Sequence, residues 1–265
     1  MNYFKDKVIW ITGATSGIGE ALALELARRE ARLILSARRE VELRRVAALT
    51  QLPELDIFIL PFDLKNTSNA SGWAAQVMNK FGRIDVLINN GGVSQRSDAI
   101  DTDEKTEREL MEINYFSYVN LTKAVLPYML RQKSGQIVNI SSISGKFGFY
   151  KRSSYSAAKH ALHGYFESLR LETEERGIKI LMVCPGKIKT SVSLNAVVAG
   201  GVKNNVMEKS HEEAMSARDC AVKIIDAMPQ HREEIYIGGK EIWMIYFRRF
   251  FPRIFRKLLR SQKNF

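Results

Sequence analysis

The N-terminal segment constrains the fold of this chain most, because a glycine-rich turn there joins a strand to a helix. The apolar run 7–12 is of strand type, and 20–28 carries an apolar stripe at helical spacing. The turn between them reads Gly13-Ala-Thr-Ser-Gly17-Ile-Gly19. Glycine lets a backbone approach a ligand closely, and a helix N-terminus offers free N–H groups and a partial positive charge. This arrangement predicts a phosphate-binding unit, although the spacing G-x-x-x-G-x-G differs from the commoner G-x-G-x-x-G.

Strand-like and helical segments alternate along the remaining chain. The predicted strands are Val8–Thr12, Arg32–Ser36, 56–61, 84–88, Gly135–Ile140, 178–184 and Glu234–Ile237. The predicted helices occupy 17–29, 40–50, 67–81, 103–132 and 153–176. This alternation predicts an α/β fold, a single Rossmann-like doubly wound parallel sheet with helices on both faces. We assign residues 1–240 to this domain and 241–265 to a C-terminal extension.

Two residues that could move a proton stand four positions apart on the predicted helix 153–176. Positions i and i+4 share one helix face, so the Lys159 ammonium would lie beside the Tyr155 phenol. A phenol has a pKa near ~10, and a nearby positive charge lowers that pKa toward the range useful in acid–base catalysis. The spacing alone is common on helix surfaces, but Ser142 upstream and the glycine turn give it weight.

Four motifs in one order along the chain together resemble the short-chain dehydrogenase/reductase family. They are Thr12-Gly13-x-x-x-Gly17-x-Gly19, Asn89-Asn90-Gly91-Gly92, the set Asn114, Ser142, Tyr155 and Lys159, and Pro185-Gly186-x-Ile188-x-Thr190. The resemblance covers roughly residues 5–240, with Gly91 where the family's N-N-A-G pattern has alanine. It implies an oxidoreductase that moves a hydride between a nicotinamide dinucleotide and a carbonyl or secondary alcohol.

The resemblance also implies a role for each matching residue. Tyr155 would be the general acid in reduction and the base in oxidation, while Lys159 lowers its pKa and holds the nicotinamide ribose. Ser142 would bind the substrate oxygen, and Asn114 would support a water relay to Lys159. The implied cofactor-binding residues are Gly13, Thr15, Ser16, Gly17, Ile18, Gly19, Arg38, Asp63, Leu64, Asn90, Gly91, Tyr155, Lys159, Pro185, Gly186, Ile188 and Thr190.

The end of the second predicted strand bears on the choice of cofactor. An NAD site usually places a carboxylate there for the ribose 2′-hydroxyl, but this chain has Arg38 and Arg39. A guanidinium pairs with phosphate through charge-assisted hydrogen bonds, so NADP(H) is favoured over NAD(H). By resemblance, Arg38 is the direct contact and Asp63 meets the adenine. The alternative is that both arginines point to solvent.

The sequence specifies the substrate least. The predicted pocket involves 93–97, 144–150 and 191–213, and the apolar, glycine-containing stretch 194–201 is either a mobile lid or a packed connector. A lipid- or steroid-like carbonyl compound or alcohol is favoured, with sugars and 3-oxoacyl thioesters left open. A non-catalytic dinucleotide-binding scaffold or sensor is the alternative function, although both residues of the proton-transfer pair are present.

Composition bears on location and on metals. No apolar stretch reaches the ~20 residues of a membrane-spanning helix, and the first strand starts too early for a signal peptide. Cys184 and Cys220 form no disulfide framework, so a cytoplasmic protein is expected, with peripheral membrane association as an open alternative. His160 and His163 have no evident cysteine or third ligand near them, so we expect packing or surface roles and no metal.

Two regions predict contacts with other molecules. Helices 103–132 and 153–176 pair across a two-fold axis in the resembling family, which implies a homodimer or homotetramer. Residues 248–265 hold seven Lys/Arg and no acid, and so carry +7 of the net charge of +11. Mixed with aromatic side chains and broken by Pro252, this extension suits two short amphipathic helices that lie on an anionic membrane surface or pack on the protein. Its charge is not spread over a groove, so no nucleic-acid partner is expected.

Overall fold

The computed structural model describes residues 2–190 and 214–261, and its centre is a parallel β-sheet. In chain order the strands are β1 (Val8–Thr12), β2 (Arg32–Ser36), β3 (Ile57–Ile59), β4 (Val86–Asn89), β5 (Gly135–Ile140), β6 (Ile178–Pro185), β7 (Ile188–Lys189), β8 (Met215–Ser216) and β9 (Glu234–Ile237). Seven of them form one sheet in the order β3-β2-β1-β4-β5-β6-β9, and β7 pairs with β8. These strand pairs are parallel, so the predicted α/β fold is confirmed.

The strand order reverses next to β1, which determines where a ligand can bind. The chain moves outward from β1 through β2 to β3, and then returns to place β4 on the other side of β1. At such a reversal the connections leave in opposite directions and open a crevice at the carboxyl ends of the strands. The glycine turn after β1 and the loop after β4 both lie at this crevice.

Helices cover both faces of the sheet. In chain order they are α1 (Gly17–Ala27), α2 (Glu40–Thr50), α3 (Ala70–Phe81), α4 (Glu104–Met111), α5 (Ser117–Gln132), α6 (Ser153–Thr173), α7 (Ala217–Ala227), α8 (Trp243–Phe250) and α9 (Pro252–Ser261). Helices α1, α2 and α7 bury apolar side chains with Ile9 and Ile11 on one face, while α3, α5 and α6 do so with Val8 and Trp10 on the other. Successive residues of β1 thus serve two hydrophobic cores, as the pleat of a strand requires.

Three strands differ from their predicted bounds. The sixth runs one residue further, to Pro185, and the third spans only Ile57–Ile59 instead of 56–61, although the N–H groups of Leu60 and Phe62 still donate to the carbonyl oxygens of Leu35 and Ala37. The fourth strand begins at Val86, because Gln132 binds both backbone groups of Ile84. The Ile84 N–H donates to Gln132 Oε1 at 3.1 Å, and Gln132 Nε2 donates to the Ile84 carbonyl oxygen at 2.9 Å.

The predicted helix 103–132 is interrupted near its middle. A π turn, Glu112–Phe116, joins α4 to α5 and contains Asn114. The prediction of one continuous α-helix is therefore wrong at this point, and such π turns are frequent at functional sites. The other predicted helices agree with the structure to within a few residues at their ends, and α7 is an additional helix.

The C-terminal extension forms two helices, as the sequence predicts. Helices α8 and α9 meet at Phe251, whose backbone (φ −134°, ψ 61°) lies outside the α region that a following proline disfavours. No helix in 2–190 or 214–261 is long and apolar enough to cross a membrane. The stretch 191–213, predicted as a lid or a connector, lies outside the described residues.

Candidate active site

The glycine turn after β1 is packed so closely that side chains would not fit at two of its glycines. Gly13 has φ +64°, and a Cβ there would lie 2.5 Å from Gly91 Cα. A Cβ on Gly19 would lie 2.2 Å from the Gly13 carbonyl oxygen. Helix α1 begins at Gly17, and its first N–H groups have no acceptor within the helix. The turn therefore presents bare backbone and N–H donors to the crevice. It also contains the other predicted residues Thr15, Ser16 and Ile18.

Thr12 and Asn90 tie the loop after β4 to this turn. Thr12 Oγ1 accepts hydrogen bonds from the N–H groups of Asn90 at 3.0 Å and Gly91 at 3.1 Å. Asn90 Nδ2 donates to the carbonyl oxygens of Thr12 at 3.0 Å and Gly13 at 3.2 Å, so its amide holds the turn in shape. A Cβ on Gly91, where the resembling family has alanine, would lie 2.5 Å from Leu64 Cδ1, so alanine there would require the Leu64 side chain to move.

Helix α6 carries Tyr155 and Lys159 to the crevice, next to Ser142 at the end of β5. Ser142 lies close enough to the Tyr155 hydroxyl to lower the pKa of the phenol. Lys159 is only 3% exposed, and its Nζ donates to the Ile140 carbonyl oxygen at 2.8 Å. The same Nζ lies 5.9 Å from the centre of the Tyr155 ring. The structure thus brings the three residues together, with the serine at the phenol hydroxyl and the lysine nearer the ring.

Burial dominates the ionisation of this group. It raises the pKa of Tyr155, against which the charge of Arg152 and the Ser142 side chain act in the opposite direction. Burial also lowers the pKa of Lys159 to about 7. A lysine with that pKa carries only part of a charge near neutrality. In this arrangement Arg152 and Ser142 are the groups that act to lower the pKa of Tyr155, and the same role for Lys159 stays a prediction.

Two residues outside every motif position the tyrosine. Gln95 is fully buried, and its Oε1 accepts the backbone N–H groups of Ser154 at 2.9 Å and Tyr155 at 3.1 Å. It thereby satisfies donors in the first turn of α6 that have no acceptor within the helix. Arg152 stands just before α6, and its guanidinium donates to the Ser94 hydroxyl. The loop after β4 therefore fixes where the helix begins.

The π turn places Asn114 against that same loop. Its Oδ1 accepts the Val93 N–H at 3.1 Å, while its Nδ2 donates to the carbonyl oxygens of Val93 at 3.0 Å and Leu110 at 2.9 Å. A Cβ on Gly92 would lie 2.7 Å from Asn114 Oδ1 and 3.9 Å from Lys159 Nζ. Asn114 therefore shapes the loop beside the lysine, and the water relay implied for it stays a prediction.

Two arginines, Arg38 and Arg45, lie where the chain leaves the carboxyl end of β2, at the end of the crevice away from Tyr155. The Arg38 side chain is 59% exposed, and its Nη1 lies 4.0 Å from Asp63 Oδ2. Arg45 of α2 was not anticipated from the sequence, yet it donates to the Thr15 carbonyl oxygen at 3.1 Å and pairs with Glu20 at 2.9 Å. These contacts leave Arg38 open to solvent and to an anion, while Arg45 fastens the glycine turn to α2.

The segment after β6 comes back to the glycine turn. Pro185 ends β6, and Ile188 is buried in β7. Thr190 then reaches α1, where a Cβ on Gly17 would lie 3.0 Å from Thr190 Cγ2. The Pro-Gly motif and the glycine turn, which are far apart in sequence, therefore border one crevice.

Glu241, which no motif contains, holds the Pro-Gly loop. Its Oε1 accepts the N–H groups of Lys187 at 2.8 Å and Gly239 at 3.1 Å. A Cβ on Gly186 would lie 2.3 Å from the same oxygen. The carboxylate thus occupies the space that a side chain at Gly186 would need, and it links the loop to the start of the C-terminal extension.

A buried cluster behind the site corrects one prediction. His163 Nε2 lies 3.7 Å from Cys184 Sγ, and His163 Nδ1 lies 3.5 Å from Glu234 Oε2. The expectation that no cysteine or third ligand lies near His163 is therefore wrong. Lys146 Nζ is 2.6 Å from Glu234 Oε2, and a positive charge so close disfavours a cation at this cluster. His163 Nε2 also lies 3.1 Å from Ser141 Oγ, so the cluster supports the end of β5.

Comparison with known proteins places this arrangement in a family. Residues 7–209 match a family model described as short chain dehydrogenase. The chain belongs to the short-chain dehydrogenase/reductase family. It is 38% identical to mouse "Dehydrogenase/reductase SDR family member 7B", over 98% of this chain and 82% of the mouse protein. It is 39% identical to human "Dehydrogenase/reductase SDR family member 7", over 91% of this chain and 72% of the human protein.

Solved structures of the family share the fold. A short-chain dehydrogenase from Streptomyces avermitilis superposes with a TM-score of 0.82 at 28% identity, over 97% of this chain and 96% of that one. A family member from Burkholderia phymatum, solved in complex with NAD, has a TM-score of 0.83 at 22% identity, over 100% and 98% of the two chains. At that identity, the second likeness concerns the fold alone.

As a member of this family, the chain is an oxidoreductase that acts on CH–OH and C=O groups and binds a nicotinamide dinucleotide. The residues at the crevice fit such a cofactor. The bare backbone at Gly13 and Gly19 and the N–H donors at the start of α1 would hold a pyrophosphate. Arg38 and Asp63 stand where the adenosine end would lie.

Proposed function

We propose that this chain is an NADP(H)-dependent oxidoreductase that interconverts an apolar carbonyl compound and its secondary alcohol by a Ser-Tyr-Lys mechanism. The observation that carries the proposal is the grouping of Ser142, the Tyr155 hydroxyl and the buried Lys159 at the crevice. A hydroxyl that binds the substrate oxygen and a phenol that exchanges a proton with it are the two groups this chemistry needs.

Each residue has a defined task in this proposal. When bound, the nicotinamide supplies or accepts the hydride. In reduction, Tyr155 Oη donates a proton to the substrate oxygen, and in oxidation it takes that proton back. Ser142 Oγ donates a hydrogen bond to the same oxygen and stabilises the charge that develops on it. Because burial raises the pKa of Tyr155, the phenol is protonated near neutral pH, which suits the reductive direction.

The preference for NADP(H) rests on Arg38. Residues 35–39 contain no carboxylate to accept a ribose hydroxyl, and Arg38 is the exposed guanidinium at that position. Asp63 is the acid beside it, at 4.0 Å, which is a weak ion pair between two partly exposed groups. A 2′-phosphate could therefore engage the guanidinium without the loss of a strong existing bond.

Aromatic residues after Ser142 support an apolar substrate. Phe147 is buried, its ring centre lies 6.5 Å from that of Phe149, and Phe149 lies 6.5 Å from Tyr150. Phe149 and Tyr150 are partly exposed and would offer a substrate apolar area with few hydrogen-bond partners, which suits a lipid- or steroid-like ketone better than a sugar.

A reducing compartment such as the cytoplasm fits the cysteines. Cys184 and Cys220 are both buried free thiols. Burial raises the pKa of Cys220 to about 12, which keeps it protonated and unreactive. We therefore propose a reducing, cytoplasmic location.

A panel of carbonyl compounds tests the function. Purified protein should oxidise NADPH in the presence of steroid ketones or long-chain ketones, followed at the absorbance of the reduced nicotinamide. We expect a lower kcat/KM with NADH than with NADPH, and little reaction with reducing sugars. Absence of turnover on every carbonyl and alcohol tested, with tight NADPH binding retained, would support the scaffold alternative instead.

We also propose that the enzyme is a homodimer or homotetramer. Phe116, the last residue of the π turn, is 45% exposed, and the partly exposed rings of Tyr115 and Tyr165 meet at 6.2 Å between their centres. Aromatic side chains open to solvent on the long helices mark a contact face. Sedimentation velocity at micromolar concentration should give a dimer or larger species, and Phe116→Asp should shift it toward monomer. A monomeric unaltered protein would contradict the proposal.

A further inference from the structure

The C-terminal helices turn an apolar stripe toward solvent. Tyr246, Phe247 and Phe250 stand three, four and seven residues after Trp243, so the four aromatic residues lie on one face of α8. Such a face normally packs into a core, but Trp243 is 65% exposed and Phe250 is 69% exposed here. Phe251 and Ile254 continue the exposed apolar surface toward α9.

The same two helices are strongly basic. Their cations are Arg248, Arg249, Arg253, Arg256, Lys257 and Arg260, and all six are exposed. No acidic residue follows Glu241 in the sequence. Apolar and positively charged groups therefore share one surface, which consists of α8 and α9 and which we name the tail surface.

Two contacts attach the tail surface to the rest of the protein. Glu241 joins its start to the Pro-Gly loop through Lys187 and Gly239. Phe255 of α9 is buried instead of exposed, with its ring centre 5.2 Å from that of Phe147. These contacts hold the helices in place while leaving the aromatic stripe of α8 uncovered.

We propose that the tail surface docks on an anionic lipid membrane. Aromatic side chains flanked by arginines suit the interface of a bilayer, where rings enter the headgroup region and cations meet lipid phosphates. Charge complementarity favours this partner over a second copy of the chain. In a symmetric contact each copy would bring six exposed cations to the other, with no acid on the tail surface to pair with them.

Docking of the tail surface would bring the candidate active site close to the membrane. Phe147, which Phe255 contacts, follows Ser142 in the loop after β5, so the lipid-facing helices border the candidate active site. An apolar substrate dissolved in the bilayer would then lie close to the crevice. This consequence rests on the proposed function, whereas docking itself does not.

Vesicle binding tests the proposal without any measurement of turnover. Full-length protein is sedimented with vesicles of phosphatidylcholine alone or with added phosphatidylserine, at low and at high salt. We expect co-sedimentation with the anionic vesicles only, weakened by salt because exposed charges are screened. The variant Arg249→Glu/Arg253→Glu should bind at least about tenfold more weakly, since each base near the surface contributes to the attraction.

Matched variants separate the tail surface from general charge and apolarity. Lys80→Glu/Arg176→Glu changes the net charge equally at exposed sites outside the tail surface, and should bind as the unaltered protein does. Phe250→Ser should weaken binding, whereas Leu171→Ser, at another exposed apolar residue, should not. Equal binding to neutral and anionic vesicles, or no binding, would overturn the proposal. So would a dimer that Phe250→Ser converts to monomer, because the surface would then be a subunit contact.

Tryptophan fluorescence gives a second test of membrane docking, and it can be made on the unaltered protein. Trp243 is the exposed tryptophan, while Trp10 is fully buried and Trp73 stacks on Phe62 at 4.0 Å. Anionic vesicles with brominated acyl chains should quench the Trp243 emission. Trp243→Phe should keep binding to the vesicles and lose the quenching. Binding without quenching in the unaltered protein would show that the aromatic face does not enter the lipid.

Discussion

Replacing Tyr155 with phenylalanine should lower turnover by roughly 100-fold or more, the usual contribution of a positioned general acid. The variant keeps the ring that packs beside Lys159 and removes only the hydroxyl, which lies near Ser142. NADPH binding should therefore change little. Single-turnover and steady-state rates on a ketone from the panel, together with NADPH titration by fluorescence, would measure both quantities.

Tyr165→Phe is the matched control, because it makes the same change on the same helix. Tyr165 is part of the aromatic group with Tyr115 and does not contact Ser142 or Lys159 in the described interactions. Removal of the Tyr165 hydroxyl should leave turnover nearly unchanged. Full turnover in Tyr155→Phe would remove Tyr155 from the mechanism, and an equal loss in both variants would point to damage to α6 rather than to lost chemistry.

The second large effect is expected at the cofactor. Arg38→Asp replaces attraction for a 2′-phosphate with repulsion and offers an acceptor for a ribose hydroxyl. The preference should move from NADPH toward NADH by about 1–3 kcal/mol or more, the range for hydrogen bonds to charged groups. The ratio of kcat/KM for the two reduced dinucleotides measures this shift directly.

Arg39→Asp provides the comparison, since it makes the same charge change one residue later at another exposed arginine. If long-range charge alone determined the preference, the two variants would shift it equally. A shift confined to Arg38→Asp would assign the phosphate contact to that side chain. Unchanged discrimination in Arg38→Asp would instead mean that Arg38 does not read the 2′-phosphate.

Much of the fold was predictable because buried parallel strands have a plain signature. The strands β1, β2, β5 and β9 lie at their predicted residues, and β1, β2 and β5 show the apolar runs of strands covered on both faces. The glycine turn, the loop after β4, Ser142 and the Pro-Gly motif share one edge because each follows a strand and parallel strands end at one edge of a sheet, whereas Asn114, Tyr155 and Lys159 reach that edge on helical segments. The sequence could not predict effects that depend on burial, such as the direction in which the pKa of Tyr155 is shifted.

Contacts between residues far apart in the chain could not be predicted from the sequence. Gln95 is a polar residue in a loop, and nothing near it in sequence predicts that it accepts the N–H groups of Ser154 and Tyr155. The contact of Arg45 with Thr15 and that of His163 with Cys184 are of the same kind. Such contacts arise only when separate elements pack, so hydrophobic periodicity and local motifs carry no information about them.

The extra residue in the π turn lets one continuous helical segment, α4 to α5, place Leu110 and Asn114 in two different packing environments. Each residue of an α-helix turns the chain by about 100°, given 3.6 residues per turn. Deleting one residue from Glu112–Phe116 would restore an α-helix but swing α4 around its axis by that angle relative to α5. Either the buried face of α4 at Leu110 or the contact of Asn114 with Val93 would then be lost. The extra residue therefore allows the Asn114 side chain to reach Val93 while Leu110 of α4 stays buried.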